Sequence, residues 1–262
     1  MARTTTGTER PPRPSTRPRI VAHRGASGTA PENTLAALAR AAALGAAWVE
    51  VDVSLLGDGT AVLAHDATLD RCTDATGPLG AIGAGDLADI DAGGWFDAAF
   101  AGERIPTLGE ALDTLERLGL SANLELKPQG AAPGPLAASL AGALAGRAAL
   151  AGRVLASSFD HAALDALRAA APALPIAPLW HRPAADWRET VARLGAEAVH
   201  AAGADLDAAF LAEARAAGLP VRAFTLNDPV AALPLREAGL DAVVTDYPER
   251  FLADPGWAAW AA

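Results

Sequence analysis

The sequence predicts an α/β fold: a TIM-type (β/α)8 barrel with a small insertion after its second strand. Three observations lead there. Short apolar runs and alanine-leucine-rich helical stretches alternate through the 262 residues, giving eight strands each followed by a helix. No Gly-x-Gly-x-x-Gly turn follows the first strand, which argues against an open doubly wound sheet. Two strands carry charged residues at alternate positions, so their charged face points into a barrel while the apolar face packs on helices.

The first strand, Arg19–His23, ends in His23-Arg24-Gly25, and Asn33 or Thr34 opens a helix to Leu44, closed by Gly45. The second, Trp48–Val53, alternates: Val49, Val51 and Val53 on one face, Trp48, Glu50 and Asp52 on the other. A Gly57-Asp58-Gly59 turn leads to a short strand, Thr60–Ala64, that ends in His65-Asp66. Residues 67–105 are irregular and too long for a routine connection, which marks a functional insertion over one mouth. Cys72 lies in it as a small filler residue. Thr107 and Glu110 form a capping box for a helix ending at Gly119. The third barrel strand, Ser121–Lys127, repeats the alternation, with Leu124 and Leu126 outward and Asn123, Glu125 and Lys127 inward.

Thereafter helices are expected over about 134–148, 160–171, 184–194, 206–217 and 228–238. The strands between them are Val154–Ser157, Ile176–Leu179, Ala198–His200, Val221–Phe224 and Ala242–Thr245, and a short helix follows the last. His161 and His181 read as structural, and His200, ending the sixth barrel strand, could line the mouth.

Composition bounds the rest. With 51% hydrophobic and 20% charged residues, one barrel domain over residues 19–262 is expected, its insertion covering about 57–105. No apolar run reaches the roughly 20 residues that span a bilayer, so stable membrane insertion is not expected. Residues 1–18 read as a disordered basic tail without a signal-peptide pattern. The net charge is −10 although the first 19 residues carry five arginines against Glu9; such an acidic body argues against nucleic-acid binding. A single cysteine permits no internal disulfide and suits the cytoplasm, and a monomer or homodimer is expected. Among 21 basic residues only Lys127 is a lysine, which points to a site wanting a compact ammonium; the asparagines are three, Asn33, Asn123 and Asn227.

The strand ends at one mouth of the barrel bring together His23, Arg24, Glu50, Asp52, His65, Glu125 and Lys127. Carboxylates at i and i+2 of a strand lie about 7 Å apart. Buried together they repel, and a hard divalent cation with oxygen ligands relieves them. Two cations offset charge growing on a phosphoryl group, and two imidazoles supply acid and base. The set suits metal-assisted phosphoryl chemistry.

The sequence resembles the glycerophosphodiester phosphodiesterases. The resemblance rests on His23-Arg24-Gly25, Pro31-Glu32-Asn33-Thr34, Glu50-Val51-Asp52-Val53, Asp58-Gly59, His65-Asp66 and Leu69. It continues in Ile105-Pro106-Thr107-Leu108, Asn123-Leu124-Glu125-Leu126-Lys127, Ser157-Ser158-Phe159 and Thr245-Asp246-Tyr247-Pro248, and so covers nearly all of residues 19–254. It implies hydrolysis of deacylated phospholipids, such as glycerophosphocholine or glycerophosphoethanolamine, to an alcohol and sn-glycerol 3-phosphate. His23 and His65 would be the acid–base pair; Glu50, Asp52 and Glu125 would bind one divalent cation, Mg²⁺ or Ca²⁺; Arg24 and Lys127 would hold the phosphate. Either water or the neighbouring glycerol hydroxyl could attack. Two segments depart from the family pattern. Phe224-Thr225-Leu226-Asn227 stands where Trp-Thr-Val-Asn is usual, keeping an apolar wall for the glycerol but losing an indole N–H, and Arg71-Cys72-Thr73 replaces Arg-Thr-Thr. Two other readings compete: a phospholipase-D-like barrel acting on intact lipids, which should show a secretion signal or disulfides, and an inactive barrel that binds phosphate esters.

Overall fold

The computed structural model describes residues 19–261, so the tail expected over residues 1–18 lies outside it. The strands are β1 (Ile20–His23), β2 (Trp48–Leu55), β3 (Ala61–Leu63), β4 (Ser121–Leu126), β5 (Val154–Ser158), β6 (Ile176–Trp180), β7 (Val199–Ala202), β8 (Val221–Phe224) and β9 (Ala242–Thr245). Their order, β1-β9-β8-β7-β6-β5-β4-β2-β3, closes through a β1–β2 pairing into the expected eight-stranded parallel barrel. β3 is the extra strand, running back antiparallel along β2 with Val53 opposite Leu63. The helices are α1 (Leu35–Ala43), α2 (Leu108–Leu118), α3 (Pro133–Leu144), α4 (His161–Ala170), α5 (Trp187–Leu194), α6 (Ala208–Ala216), α7 (Pro229–Ala238), α8 (Pro248–Leu252) and α9 (Pro255–Ala261). No described helix is long and apolar enough to cross a membrane.

Local chemistry sets the boundaries. Thr34 caps α1 by accepting from the Ala37 N–H, and the Thr107–Glu110 capping box starts α2. Gly119, at φ 70°, ends α2. The third helix stops short of the expected 148: Ala145 turns extended, and Gly146 follows at φ 81°. The fifth begins at Trp187 rather than 184, because the Trp187 N–H first reaches Ala184 O in a turn.

Alternation on the strands separates two apolar regions. Val49, Val51, Val53, Leu124 and Leu126 face outward and pack with Leu38, Leu108 and Leu112 of the helices. Burying one such leucine contributes about 1.5–3 kcal/mol. Val21, Trp48, Leu155 and Val244 form a smaller cluster, and Val21 and Trp48 pair two residues ahead of His23 and Glu50. This apolar layer therefore lies beneath the mouth. The insertion has a core of its own, in which Leu56, Val62, Leu69, Leu79, Leu87, Ile90 and Ile105 cluster. Its chain is folded back by Asp91, whose carboxylate accepts from the N–H groups of Gly93, Gly94 and Gly102.

Gly25 turns the chain directly after β1. Its φ is 79°, and a Cβ there would come within 2.6 Å of the Ala37 backbone. Gly45, at φ 89°, has nothing within 4 Å of the same point. Gly45→Ala should therefore cost about 1 kcal/mol for the left-handed backbone alone, and Gly25→Ala more, because α1 must also move. Thermal melts of both variants check this; equal losses would contradict the packing account.

Candidate active site

Parallel register lines up the charged residues. His23 stands opposite Glu50, Glu50 opposite Asn123, and Asp52 opposite Glu125. The valines and leucines between them face the helices, which leaves the acids no direction but the interior. Glu50, Asp52 and Glu125 are all buried, and one oxygen from each lies within 4.8 Å of the others.

Neighbours hold this cluster. Asn33 adopts a left-handed backbone, φ 57°. Its Nδ2 donates to Asp52 Oδ2 at 2.8 Å, and the Asp52 N–H donates back to its Oδ1 at 3.1 Å. Arg24 donates its backbone N–H to Glu50 Oε2 at 3.1 Å, and its Nε stands 3.2 Å from Asp52 Oδ2. Lys127 Nζ lies 2.5 Å from Glu125 Oε1 and 3.4 Å from Asp52 Oδ1. Two cations thus serve three acids.

The charges divide accordingly. Burial, then the Asp52 and Glu125 carboxylates, pushes Glu50 well above the usual carboxylate range. Burial and Asp52 likewise raise Glu125, to about 7. Burial would raise Asp52 as well, but Lys127 and Arg24 outweigh it and hold it low. Glu50 Oε1 is buried without a hydrogen-bond partner among the described residues. An all-oxygen donor set with surplus negative charge and an orphaned oxygen fits a hard divalent cation.

Each histidine near the cluster has an aspartate behind it. His23 Nδ1 is 2.7 Å from Asp246 Oδ1, with Nε2 3.8 Å from Glu50 Oε2. Ser27 Oγ and Asn227 Nδ2 also donate to Asp246, at 2.9 and 2.7 Å. His65 Nδ1 is 2.6 Å from Asp66 Oδ1. Arg71, from the insertion, donates to Asp66 at 2.6 Å and to both oxygens of Glu32 at 2.7 and 2.8 Å; Glu32 in turn accepts from Arg24 Nη1 at 2.6 Å. One chain of charges therefore runs from His65 to Asp52. The Arg71 hydrogen bond holds Asp66 at about 2, and Asp246 is also about 2, its burial outweighed by the bond from His23. Burial lowers His65, and Arg24 and Lys127 add to this against Asp52.

His23, Arg24, Glu50, His65, Glu125, Lys127 and Phe224 line one cavity of about 200 Å³. Asp52 is at 1% exposure and holds its place beside them. His200 lines the same cavity, though it is the second residue of β7 (Val199–Ala202) and not the strand's end as expected. His161 is structural as read, its Nε2 3.2 Å from Leu179 O. His181 is not merely a loop residue: it stacks on Phe159 at 4.8 Å and borders the cavity. Cys72 is half-buried, and burial pushes its thiol up to about 12, in keeping with an inert filler. The sequence reading assigned no role to Asn33, Glu32, Asp66, Arg71 or Asp246. A signal was there for some: the three asparagines of the chain, Asn33, Asn123 and Asn227, all lie at this site.

The raised pKa values of Glu50 and Glu125 carry a sign. The folded chain keeps protons that the unfolded chain has released, so metal-free stability falls as pH rises from about 4.5 toward 7. Glu125→Gln should flatten that fall and remove the gain in Tm on adding Mg²⁺ or Ca²⁺. Melts in chelator and in excess cation, at pH 5 and pH 7.5, check both; the same slope and the same cation response in the variant would contradict the account.

Comparisons with known proteins identify the family. The model of the glycerophosphoryl diester phosphodiesterase family matches residues 23–250. A glycerophosphodiester phosphodiesterase of Caldanaerobacter subterraneus is 31% identical over 233 residues, covering 89% of this chain and 96% of that one. One from Bacillus subtilis is 32% identical over 250 residues, covering 88% and 84%. An Oleispira antarctica phosphodiesterase, solved with the product sn-glycerol-3-phosphate, superposes with a TM-score of 0.86 at 36% identity, covering 90% of this chain and 96% of that one. The chain belongs to the glycerophosphoryl diester phosphodiesterase family and is a phosphodiesterase.

Proposed function

We propose that the enzyme hydrolyses glycerophosphodiesters such as glycerophosphocholine and glycerophosphoethanolamine to an alcohol and sn-glycerol 3-phosphate, in the cytoplasm. The observation that carries this is the single cavity on which three mutually close carboxylates meet two aspartate-backed imidazoles and two cations.

Glu50, Asp52 and Glu125 would hold one divalent cation, Mg²⁺ or Ca²⁺. When bound, the ion supplies Lewis-acid polarisation of a phosphoryl oxygen. Arg24 and Lys127 bind the non-bridging phosphate oxygens and offset the charge that grows there. Phe224 walls the glycerol arm and helps exclude water.

The histidines divide the proton transfers. His65 donates Nδ1–H to Asp66, which leaves Nε2 free. Its lowered pKa keeps it neutral at pH 7, so it takes the proton of the attacking oxygen, water or the neighbouring glycerol hydroxyl, as the new O–P bond forms. His23 gives its Nε2 proton to the leaving alcohol as the old O–P bond breaks. Its Nδ1–H stays on Asp246, which fixes the ring. Where the glycerol hydroxyl attacks, water then opens the cyclic phosphate, losing its proton to one imidazole while the ring oxygen that leaves takes one from the other.

His23→Ala and His65→Ala should each lower kcat by about 10²–10⁴-fold in a folded barrel. Rates within a few-fold of the parent in either variant would refute the assignment. Asp246→Asn should also lower kcat strongly, because an amide at that position favours the wrong tautomer of His23. The reaction itself is checked by following release of sn-glycerol 3-phosphate from a panel of headgroup diesters with and without EDTA. Chelator-insensitive turnover would contradict the metal role, and no turnover of any member would favour a binding barrel.

A further inference from the structure

One histidine of the cavity wall, His200, has no part in the proton transfers above, and it pairs with an arginine outside the cavity lining. His200, 2% exposed, lies on β7 opposite Arg222 on β8. Arg222 Nη1 stands 2.9 Å from His200 Nε2. A guanidinium can only donate, so Nε2 must present its lone pair and the ring's one proton must sit on Nδ1. Burial, and after it the nearby Arg222 charge, holds His200 well below the usual histidine range, so the ring stays neutral. Arg222 forms no ion pair among the described residues and is itself pushed down to about 10 by burial. The Asp241 and Glu197 charges act against that burial, and inside the barrel the guanidinium's acceptor is the imidazole.

The remaining question is what the Nδ1–H meets. The phosphate has the charged groups Arg24 and Lys127. Leu179 pairs with His200 across the sheet, and with Val244 and Phe224 it forms the apolar part of the cavity wall, where a neutral N–H suits an uncharged hydroxyl better than an anion.

On the phosphodiesterase reading above, we infer that His200 Nδ1–H donates to a hydroxyl of the substrate's glycerol arm, and that Arg222 is a positioning residue that locks the tautomer needed for it. The pair then selects glycerol esters over phosphodiesters that lack the hydroxyl. A site built to hydrogen-bond a hydroxyl discriminates against its absence because the buried donor is left unpaired.

The test compares glycerophosphocholine with bis(p-nitrophenyl) phosphate, which has no aliphatic hydroxyl. His200→Phe should lose ~10-fold or more in kcat/KM on glycerophosphocholine, mostly through KM, and change by less than about twofold on the nitrophenyl diester. Equal losses on both substrates, or none on either, would overturn the inference. Arg222→Met should shift preference in the same direction. In ¹⁵N-histidine spectra, His200 of the unmodified protein should be protonated at Nδ1, and that resonance should move on adding sn-glycerol 3-phosphate; in Arg222→Met both tautomers should appear. Protonation at Nε2, or a resonance that saturating product leaves in place, overturns the inference even if the variants fail to fold. Unmodified enzyme that cleaves neither diester sinks the reaction, and this inference with it. Active enzyme whose preference survives His200→Phe sinks this inference alone.

Discussion

Three carboxylates inside a closed barrel are the constraint that everything around the mouth answers to. Neither packing nor water can accommodate them: their strands bury the other face against helices, and each acid raises the cost of ionising the next. Arg24 and Lys127 bring only two positive charges into contact with them. The Asn33 side-chain amide fixes Asp52 at both its carboxylate and its backbone N–H. Glu32 then takes up the remaining charge of Arg24, and Arg71 that of Glu32. A cluster so held could take up a metal ion, and an ion bound there would stabilise the fold as well as serve the proposed chemistry.

The same arrangement explains why the site draws on both ends of the barrel sequence. His23 ends β1, and its aspartate follows β9, which lies beside β1 because the sheet closes. His65 leaves the hairpin after β2, and the insertion turns back over it to place Arg71 against Asp66. The insertion's separate apolar cluster lets it act as a rigid bracket for that arginine. Barrel closure and insertion thus do equivalent work for the two imidazoles: each supplies a carboxylate that holds the ring by Nδ1 and leaves Nε2 to the cavity.

Much of this was legible in the sequence. The valine and leucine alternation on β2 and β4 was enough to turn Glu50, Asp52, Glu125 and Lys127 inward, because strand periodicity depends on nothing remote. The lone lysine marked the same place by its rarity. What was not legible depends on contacts far apart along the chain. Asp246 meets His23 across 223 residues, and Arg71 reaches Glu32 across 39 through an insertion with no regular pattern. His181 reads as a loop residue until β6 delivers it to the wall beside Phe159. Helix ends were misplaced in alanine-rich stretches: at Ala145 helix propensity masked the stop that Gly146 supplies, and at Ala184 it masked a turn that precedes the helix.

Calorimetric titration of chelator-stripped protein with Mg²⁺ and with Ca²⁺, at neutral pH, tests the central claim most directly. The account predicts one ion per chain, released protons from Glu50 and Glu125, and loss of the binding isotherm in Asp52→Asn while that variant still melts cooperatively. Binding unchanged by Asp52→Asn, or no binding to the parent protein, would contradict it.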